Sequence, residues 1–378
     1  MMGEVPTVAA QQSVLDTAQM VAARAPGPER NIVMPLFANF RMMAMLKNLL
    51  CSIDRVGVYH WFVLSFDDKL CPALDGDFWR SGMRPAGCTH PYTRFEAAAH
   101  GVNATSDIPR AHSTYNALVQ AGGDAVRRSA VYRSRLFNAV VFHRVAWLRL
   151  LLQANYSILH CDADVVWLRN PLPLFEQDVL VRPSGHTATY RASDLLVQSE
   201  GVYGNNGGFY FARANSRTVA FFDALLRKFH ERSRVKNSNF EDQHCLNDVL
   251  RDARKHRKGL SLKAPKLNQT LFPNGAMWQS GLATKALAYV VHMNWAKQSK
   301  KSRLVEDGLW FLTPEDARCA TRFDPQEGSC ERRCVALKKG TLCELGRPCA
   351  MAECTTLLRS VNGSHGWHPV ALQRAGCS

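Results

Sequence analysis

The sequence predicts an α/β domain with a mostly parallel central sheet over residues 31–315. A flexible leader is expected over residues 1–30, and a small cysteine-rich C-terminal segment over residues 316–378. Short apolar runs alternate with amphipathic stretches, which is typical of β-α-β units. Hydrophobic residues make up 46% of the chain and charged residues 21%, so a sizeable core can form.

The first β-α-β unit lies near the start of the domain. Residues 31–37 (NIVMPLF) are an apolar run bounded by polar residues and predict a strand. Residues 41–53 carry apolar side chains at helical spacing. Residues 61–66 (WFVLSF) predict a second strand, which ends at Asp67 and Asp68.

The rest of the domain continues the alternation. Residues 71–129 are rich in glycine, proline and alanine and predict an insertion or a variable lobe. Further strands are expected over residues 157–161 (SILHC), 179–182, 208–212 (GFYFA) and 289–292 (YVVH), and helices over residues 136–152, 216–230 and 242–250. In such sheets, ligands bind beyond the carboxyl ends of the strands.

The most informative residues follow the strand 157–161. Asp162 and Asp164 leave the sheet close together, and like charges at that spacing are unfavourable unless a cation bridges them. Oxygen ligands suit Mn²⁺ or Mg²⁺, and such a metal would in turn hold a diphosphate. The alternative is that both aspartates only cap the segment that follows.

Several ordered motifs give the chain a family resemblance. Residues 155–171 (NYSILHCDADVVWLRNP) resemble the nucleotide-diphospho-sugar transferase domain of plants and algae. That family includes arabinosyl-, xylosyl- and galactosyltransferases acting on cell-wall polymers and glycoproteins. The resemblance continues at residues 204–211 (GNNGGFYF), 242–243 (DQ), 292–295 (HMNW) and 308–310 (GLW), and covers about residues 31–312.

The resemblance implies a GT-A fold and a metal site. Asp162 and Asp164 are expected to bind the metal, with Asp162 also near the ribose of the nucleotide. His292 is expected to be the third ligand. An imidazole ligand favours Mn²⁺, although Mg²⁺ remains an alternative.

The resemblance also assigns roles around the donor. Arg144 is expected to face the nucleotide, Lys300 to contact the diphosphate, and Asn205, Asn206 and Gly207 to approach the sugar. Lys297 and Lys301 remain alternatives to Lys300, and a solvated basic loop is an alternative for all three lysines.

Asp242 and Gln243 are expected near the anomeric carbon and are the candidate catalytic residues. An N-cap is the alternative for Asp242. The sequence departs from the family pattern at His244 and at the second glycine, Gly208. These two departures leave the identity of the donor sugar undetermined. Trp278 and Trp295 lie in polar surroundings and are candidates for stacking on a sugar.

The resemblance implies a retaining glycosyltransferase. It would move a pentose or hexose from a UDP-sugar to a hydroxyl of a glycan or glycoprotein. A non-catalytic protein that binds nucleotide sugars or glycans on the same fold is the alternative. The net charge of +15 favours anionic ligands, but the basic residues are spread along the chain, so nucleic acid is not expected as a partner.

The cysteines bear on the compartment. Seven of the twelve lie between Cys319 and Cys377, without the tight spacing of a zinc site, and predict a disulfide-stapled segment in an oxidising environment. With the resemblance, this favours the Golgi lumen. The sequence has no signal peptide or membrane span, so membrane association is expected only through an anchor outside it.

Overall fold

The computed structural model describes residues 8–23, 31–75, 87–89, 135–176, 190–233, 242–296, 299–313, 319, 332–337 and 340–345. Its centre is a six-stranded sheet in the order β3-β2-β1-β4-β7-β6. The strands are β1 (Ile32–Ala38), β2 (Trp61–Ser65), β3 (Cys88–Thr89), β4 (Ser157–Cys161), β6 (Leu195–Ser199) and β7 (Asn205–Ala212).

The sheet is mixed, with five strands running one way and β7 running the other. Strands β3, β2, β1 and β4 pair in parallel, whereas β7 pairs antiparallel with both β4 and β6. The prediction of an α/β class with a mostly parallel sheet is confirmed. Strands β1, β2 and β6 are buried along their whole length, which explains their continuous apolar character.

Helices cover the sheet. They are α1 (Val8–Ala22), α2 (Met43–Arg55), α3 (Leu70–Asp75), α4 (Arg135–Gln153), α5 (Leu172–Phe175), α6 (Ser216–Ser233), α7 (Asp242–Arg254), α8 (Gly275–Gln279) and α9 (Lys300–Glu306). Helices α2, α4, α6 and α7 correspond to the four predicted helices. Their apolar faces contribute to one continuous core with the strands.

Helix α1 departs from the expectation of a flexible leader over residues 1–30. Val14, Ala18 and Val21 are fully buried and belong to the main core. Their spacing of four and three residues places them on one helical face. That face carries only small or branched apolar side chains, and other apolar residues lie around the helix, so its pattern is weak until the strands it covers are in place.

A second, two-stranded sheet lies beside the first. Strand β5 (Val165–Trp167) pairs antiparallel with β8 (Val290–His292). The late strand predicted at residues 289–292 is therefore present, but it joins β5 and not the central sheet. The strand expected at residues 179–182 lies outside the described residues.

Two disulfides join described parts of the chain. Cys51 of α2 pairs with Cys319, and Cys71 of α3 pairs with Cys88 of β3. Cys319 is the first of the seven C-terminal cysteines, so the bond ties the start of that segment to the main core. Further on, β9 (Arg332–Leu337) and β10 (Gly340–Leu345) form an antiparallel hairpin.

No helix in the described part of the chain is long and apolar enough to cross a membrane.

Candidate functional site

The side chains of Asp162, Asp164 and His292 converge at the carboxyl end of β4. One ligand atom from each lies within 4.8 Å of the others. Nε2 of His292 is 3.3 Å from Oδ1 of Asp164 and 4.0 Å from Oδ2 of Asp162. Asp164 and His292 are buried, while the Asp162 side chain is 34% exposed and opens the cluster to solvent.

Backbone pairing brings these distant residues together. In the register of β5 and β8, Val165 lies opposite His292. The amide of Met293 donates to the carbonyl of Asp164 at 3.0 Å, and the amide of Asp162 donates to the carbonyl of Gly208 at 2.8 Å. The cluster therefore lies where the central sheet meets the small sheet.

Gln198 of β6 orients the imidazole of His292. Its side-chain amide donates to the carbonyls of Phe272 and Pro273, both at 3.1 Å, so Oε1 is left to accept. That oxygen lies 3.0 Å from Nδ1 of His292. Nδ1 therefore carries a proton, and in the neutral ring Nε2 presents its lone pair to the two carboxylates.

Two cations balance the carboxylates. An Arg144 guanidinium nitrogen donates to Oδ1 of Asp162 at 2.9 Å, and Nζ of Lys300 lies 2.6 Å from Oδ2 of Asp164. Burial opposes the ionisation of Asp162, yet the charge of Arg144 helps to bring its pKa down to about 2. Burial also opposes ionisation of Asp164, but His292 and Lys300 hold its pKa well below the usual range.

The donor set suits a divalent cation. Burial lowers the pKa of His292, but the charges of Asp164 and Asp162 outweigh this, and the pKa is raised above that of a free imidazole. The proton on Nε2 thus lies where a bound metal ion would lie, and either one offsets the negative charge of Asp162 and Asp164. Two carboxylate oxygens with one imidazole nitrogen, oriented by a hydrogen-bonded glutamine, fit Mn²⁺ and similar ions.

Gly208 of β7 makes room for the cluster. A Cβ added there would overlap Cε1 of His292 and Oδ2 of Asp162. The Gly208 amide also donates to Oδ1 of Asn206 at 2.5 Å. The second glycine, which departs from the family pattern, therefore lies directly under the candidate metal ligands.

A buried carboxylate, Glu200, organises the adjoining loops. Its two oxygens accept from the side chains of Asn206, Asn274, Asn294 and Trp295. A carboxylate has about four lone-pair positions, and these four donors use them all. Glu200 is thus a structural centre that links β7, the start of α8 and the segment after β8.

The other residues expected near the donor divide into two groups. The side chain of Asn206 lies on the same face of β7 as the cluster, where it accepts from the amide of Gly208 and donates to Glu200. Asn205 faces the opposite side of β7, where it is hydrogen-bonded to Asn247 of α7 and to Arg254. Strand alternation explains the split, because successive side chains of a strand point to opposite faces.

The structure also distinguishes among the lysines and tryptophans. Lys301 lies over the ring of Trp310, 5.2 Å from its centroid, whereas Lys300 reaches the cluster. Lys297 lies outside the described residues. Trp278 is buried and donates to Asp307, while Trp295 is 55% exposed and stacks on Tyr203.

The candidate catalytic residues begin helix α7. The side chain of Asp242 lies outside the described part of the chain. The carbonyl of Gln243 accepts from the side chain of Asn247 at 2.8 Å. Their catalytic roles, and a direct role of Gly207 at the sugar, remain predictions.

Sequence reasoning missed Gln198, Glu200 and Gly208 as site residues. Gln198 lies within β6, directly after its three apolar residues, and Glu200 follows the strand, so polar side chains at the end of an apolar run were an available signal. Gly208 was noted only as a departure from a pattern.

The fold and the site define an α/β protein. A cluster of side chains that could hold a metal ion lies at the carboxyl end of the central strand β4. The family model for nucleotide-diphospho-sugar transferases matches residues 104–304, just over half of the chain. The chain therefore belongs to the nucleotide-diphospho-sugar transferase family. The family resemblance drawn from the sequence is confirmed, and with it the GT-A-like class that this family implies.

Two curated relatives match part of the chain. Beta-arabinofuranosyltransferase RAY1 of Arabidopsis thaliana is 29% identical over 194 residues, covering 47% of this chain and 35% of the relative. UDP-galactose:fucoside alpha-3-galactosyltransferase of Dictyostelium discoideum is 26% identical over 183 residues, covering 44% and 27%. The chain thus spans about a third or less of the length of each relative.

Among solved structures, the galactosyltransferase LgtC in complex with donor and acceptor sugar analogues aligns with 75% of this chain and 98% of its own. The sequence identity is 12% and the TM-score 0.41.

Proposed function

We propose that the chain is a retaining glycosyltransferase that moves a pentose or hexose from a UDP-sugar to a hydroxyl of a glycan or glycoprotein. The observation that carries this proposal is the convergence of Asp162, Asp164 and His292 at the carboxyl end of β4. Family membership supports a nucleotide-sugar donor. The names of the relatives include both an arabinofuranosyl- and a galactosyltransferase, so the proposal includes both a pentose and a hexose as the donor sugar.

Asp162, Asp164 and His292 would hold Mn²⁺. When bound, the metal supplies positive charge to the donor diphosphate and acts as a Lewis acid on the leaving group. His292 contributes through Nε2, because Gln198 engages its other nitrogen. A nitrogen ligand beside two carboxylates favours Mn²⁺ over Mg²⁺.

Lys300 and Arg144 would both contact the nucleotide-sugar donor. Each already binds a carboxylate of the cluster, Lys300 through Asp164 and Arg144 through Asp162. Metal binding would neutralise those carboxylates and free the two cations to reach other anions nearby. Lys300 would then stabilise charge on the departing diphosphate, and Arg144 would face the nucleotide.

A front-face route to retention requires no enzymatic nucleophile. In that route the acceptor hydroxyl attacks the anomeric carbon as the nucleotide leaves, and the departing phosphate oxygen takes the acceptor proton. The bonding of Asp162, Asp164 and Glu200 supports the front-face route. All three carboxylates are hydrogen-bonded or ion-paired to neighbouring residues, so none of them is placed as a nucleophile. Asp242 remains the candidate for a covalent route, with Gln243 beside it.

The compartment proposed for this activity is the Golgi lumen. The disulfides Cys51–Cys319 and Cys71–Cys88 support an oxidising environment.

The test is release of UDP from a panel that includes UDP-galactose and UDP-arabinofuranose, with an added oligosaccharide or water taking the sugar. It is run with Mn²⁺ and with chelator, on the wild type, on Asp164→Asn, and on the control Asp252→Asn, whose carboxylate pairs with Lys258 far along α7. We expect Mn²⁺-dependent release that is lost in Asp164→Asn and kept in Asp252→Asn. Donor binding without release from any sugar would favour the non-catalytic alternative.

A further inference from the structure

A cavity lies beside Asn205, on the face of β7 that is turned away from the candidate metal ligands. Its volume is about 380 Å³, and its lining combines basic side chains at the end of α7 with Lys266 and the turn before β7. We call this the basic cavity. The lining residues used below are Tyr203, Asn205, Arg251, Arg254, Lys255 and Lys266.

The positive charges of the basic cavity are poorly compensated. Arg254 donates to the carbonyl of Ala264 and to Oδ1 of Asn205, both neutral acceptors. Nζ of Lys266 lies 3.3 Å from the carbonyl of Gly201. Among the described residues, no carboxylate pairs with Arg254, Lys255 or Lys266, and of the basic residues in the cavity only Arg251 has an acidic partner, Asp248.

Holding these cations together has a cost. Burial lowers the pKa of Lys266, and the neighbouring charge of Arg254 lowers it further. Burial likewise lowers the pKa of Arg254. An anion in the cavity would offset the repulsion and replace the lost hydration.

The basic cavity is joined to the metal side of β7 by aromatic rings. Tyr203 lines the cavity and stacks on Trp295, with ring centroids 5.8 Å apart and an interplanar angle of 28°. Nε1 of Trp295 donates to Glu200 at 2.8 Å, and Glu200 also binds Asn206. As whole residues, Tyr203 is 73% exposed and Trp295 is 55% exposed.

The stacked pair of Tyr203 and Trp295 is held in place by the surrounding structure. The backbone of Trp295 has φ of 59°, a left-handed conformation that is rare for a bulky residue. The bond to Glu200 helps to hold it there. Exposed aromatic rings in a fixed orientation offer apolar faces on which a sugar ring can pack, and the neighbouring cations add recognition of an acid.

From this geometry we propose that the basic cavity binds the acidic group of an anionic saccharide acceptor, a uronate carboxylate or a sulfate ester, while Tyr203 and Trp295 pack against an adjoining sugar ring. This assignment rests on the proposed function, since it names the acceptor class. The binding itself requires neither donor nor turnover, so it is tested separately.

The test is equilibrium binding by calorimetry, without donor. The probes are a uronic-acid oligosaccharide, a sulfated oligosaccharide, a neutral oligosaccharide of equal length and inorganic sulfate. The variants are Lys255→Gln with Lys266→Gln, and a control pair, Arg257→Gln with Lys263→Gln, which removes the same charge from exposed positions outside the lining. Tyr203→Ala is a third variant.

We expect an acidic oligosaccharide to bind at least about tenfold more tightly than the neutral one, because charge-assisted hydrogen bonds are the strong ones. The cavity pair should abolish that preference, and the control pair should keep it. Tyr203→Ala should weaken saccharide binding and leave sulfate binding unchanged.

Equal affinity for acidic and neutral saccharides would overturn the proposal. Equal losses in the cavity and control pairs would do the same, because they would indicate a general charge effect. Binding of inorganic sulfate alone would refute the saccharide assignment. If acidic saccharides bind but no UDP-sugar is turned over with them, the proposed function fails while the binding site stands.

Discussion

Nδ1 of His292 lies 3.0 Å from Oε1 of Gln198, whose amide nitrogen is held by two backbone carbonyls. This contact spans 94 residues of sequence and sets which nitrogen of the imidazole faces Asp162 and Asp164. The orientation of a single amide therefore fixes the ring nitrogen that His292, a candidate metal ligand, presents to the cluster.

Replacing Gln198 tests that relationship. In Gln198→Met, Nδ1 loses its acceptor and the ring loses its preferred tautomer, so we expect Mn²⁺ affinity to fall by roughly 10- to 100-fold. Metal titration followed by calorimetry measures it, with thermal unfolding recorded in parallel. Gln153→Met, an exposed position on α4, is the control. An unchanged metal affinity would mean that Gln198 does not orient His292.

The pH dependence of metal binding follows from His292. Its pKa is raised in the metal-free protein, so the proton that blocks Nε2 persists to higher pH than on a free imidazole. Affinity should therefore rise with pH and level off above that raised pKa. Asp162, with a pKa of about 2, and Asp164, also lowered, stay ionised throughout and add no slope.

Metal titrations across about pH 5 to 9 test this expectation. In His292→Asn the overall affinity should be lower and the slope of affinity against pH should largely disappear. A wild-type affinity that is flat with pH would show that His292 is not a ligand that loses a proton on binding.

Gly208→Ala tests the space beneath the cluster. The added methyl would overlap His292 and Asp162, so the ligand atoms must separate. We expect Mn²⁺ affinity and UDP release to fall by at least about tenfold, because small displacements of metal ligands and reacting groups are costly. Circular dichroism distinguishes a local effect from unfolding. Full activity in a folded Gly208→Ala protein would contradict the geometry described for β7.

The two disulfides are expected to differ in their contribution to stability. Cys51–Cys319 closes a separation of 268 residues and Cys71–Cys88 one of 17. In the chain-entropy account, these correspond to about 5.6 and about 3 kcal/mol. Cys319→Ser should therefore lower the free energy of unfolding more than Cys71→Ser does. Denaturant unfolding of both variants measures this, and the opposite order would show that native-state effects outweigh loop closure.

Much of the fold was readable from local patterns. The apolar run at residues 157–161 predicts β4, and the helical spacing at residues 41–53 predicts α2, because each pattern matches the period of one element. The acidic pair Asp162 and Asp164 was also readable, since a strand end followed by close like charges is a local feature. Helix α1 was missed because its buried face is made of small apolar residues that stand out only against the strands they cover.

The sequence by itself determined the α/β class, the order of most elements and the identity of the three metal-binding candidates, the last through a family resemblance. Only the tertiary structure decided that Lys300 and not Lys301 reaches Asp164, and that Asn206 and Asn205 face opposite sides of β7. It also revealed Gln198 and Glu200 as partners of residues about 94 positions away. The physical reason is that helical and strand periods are local, whereas hydrogen bonds and ion pairs depend on the register in which distant strands meet.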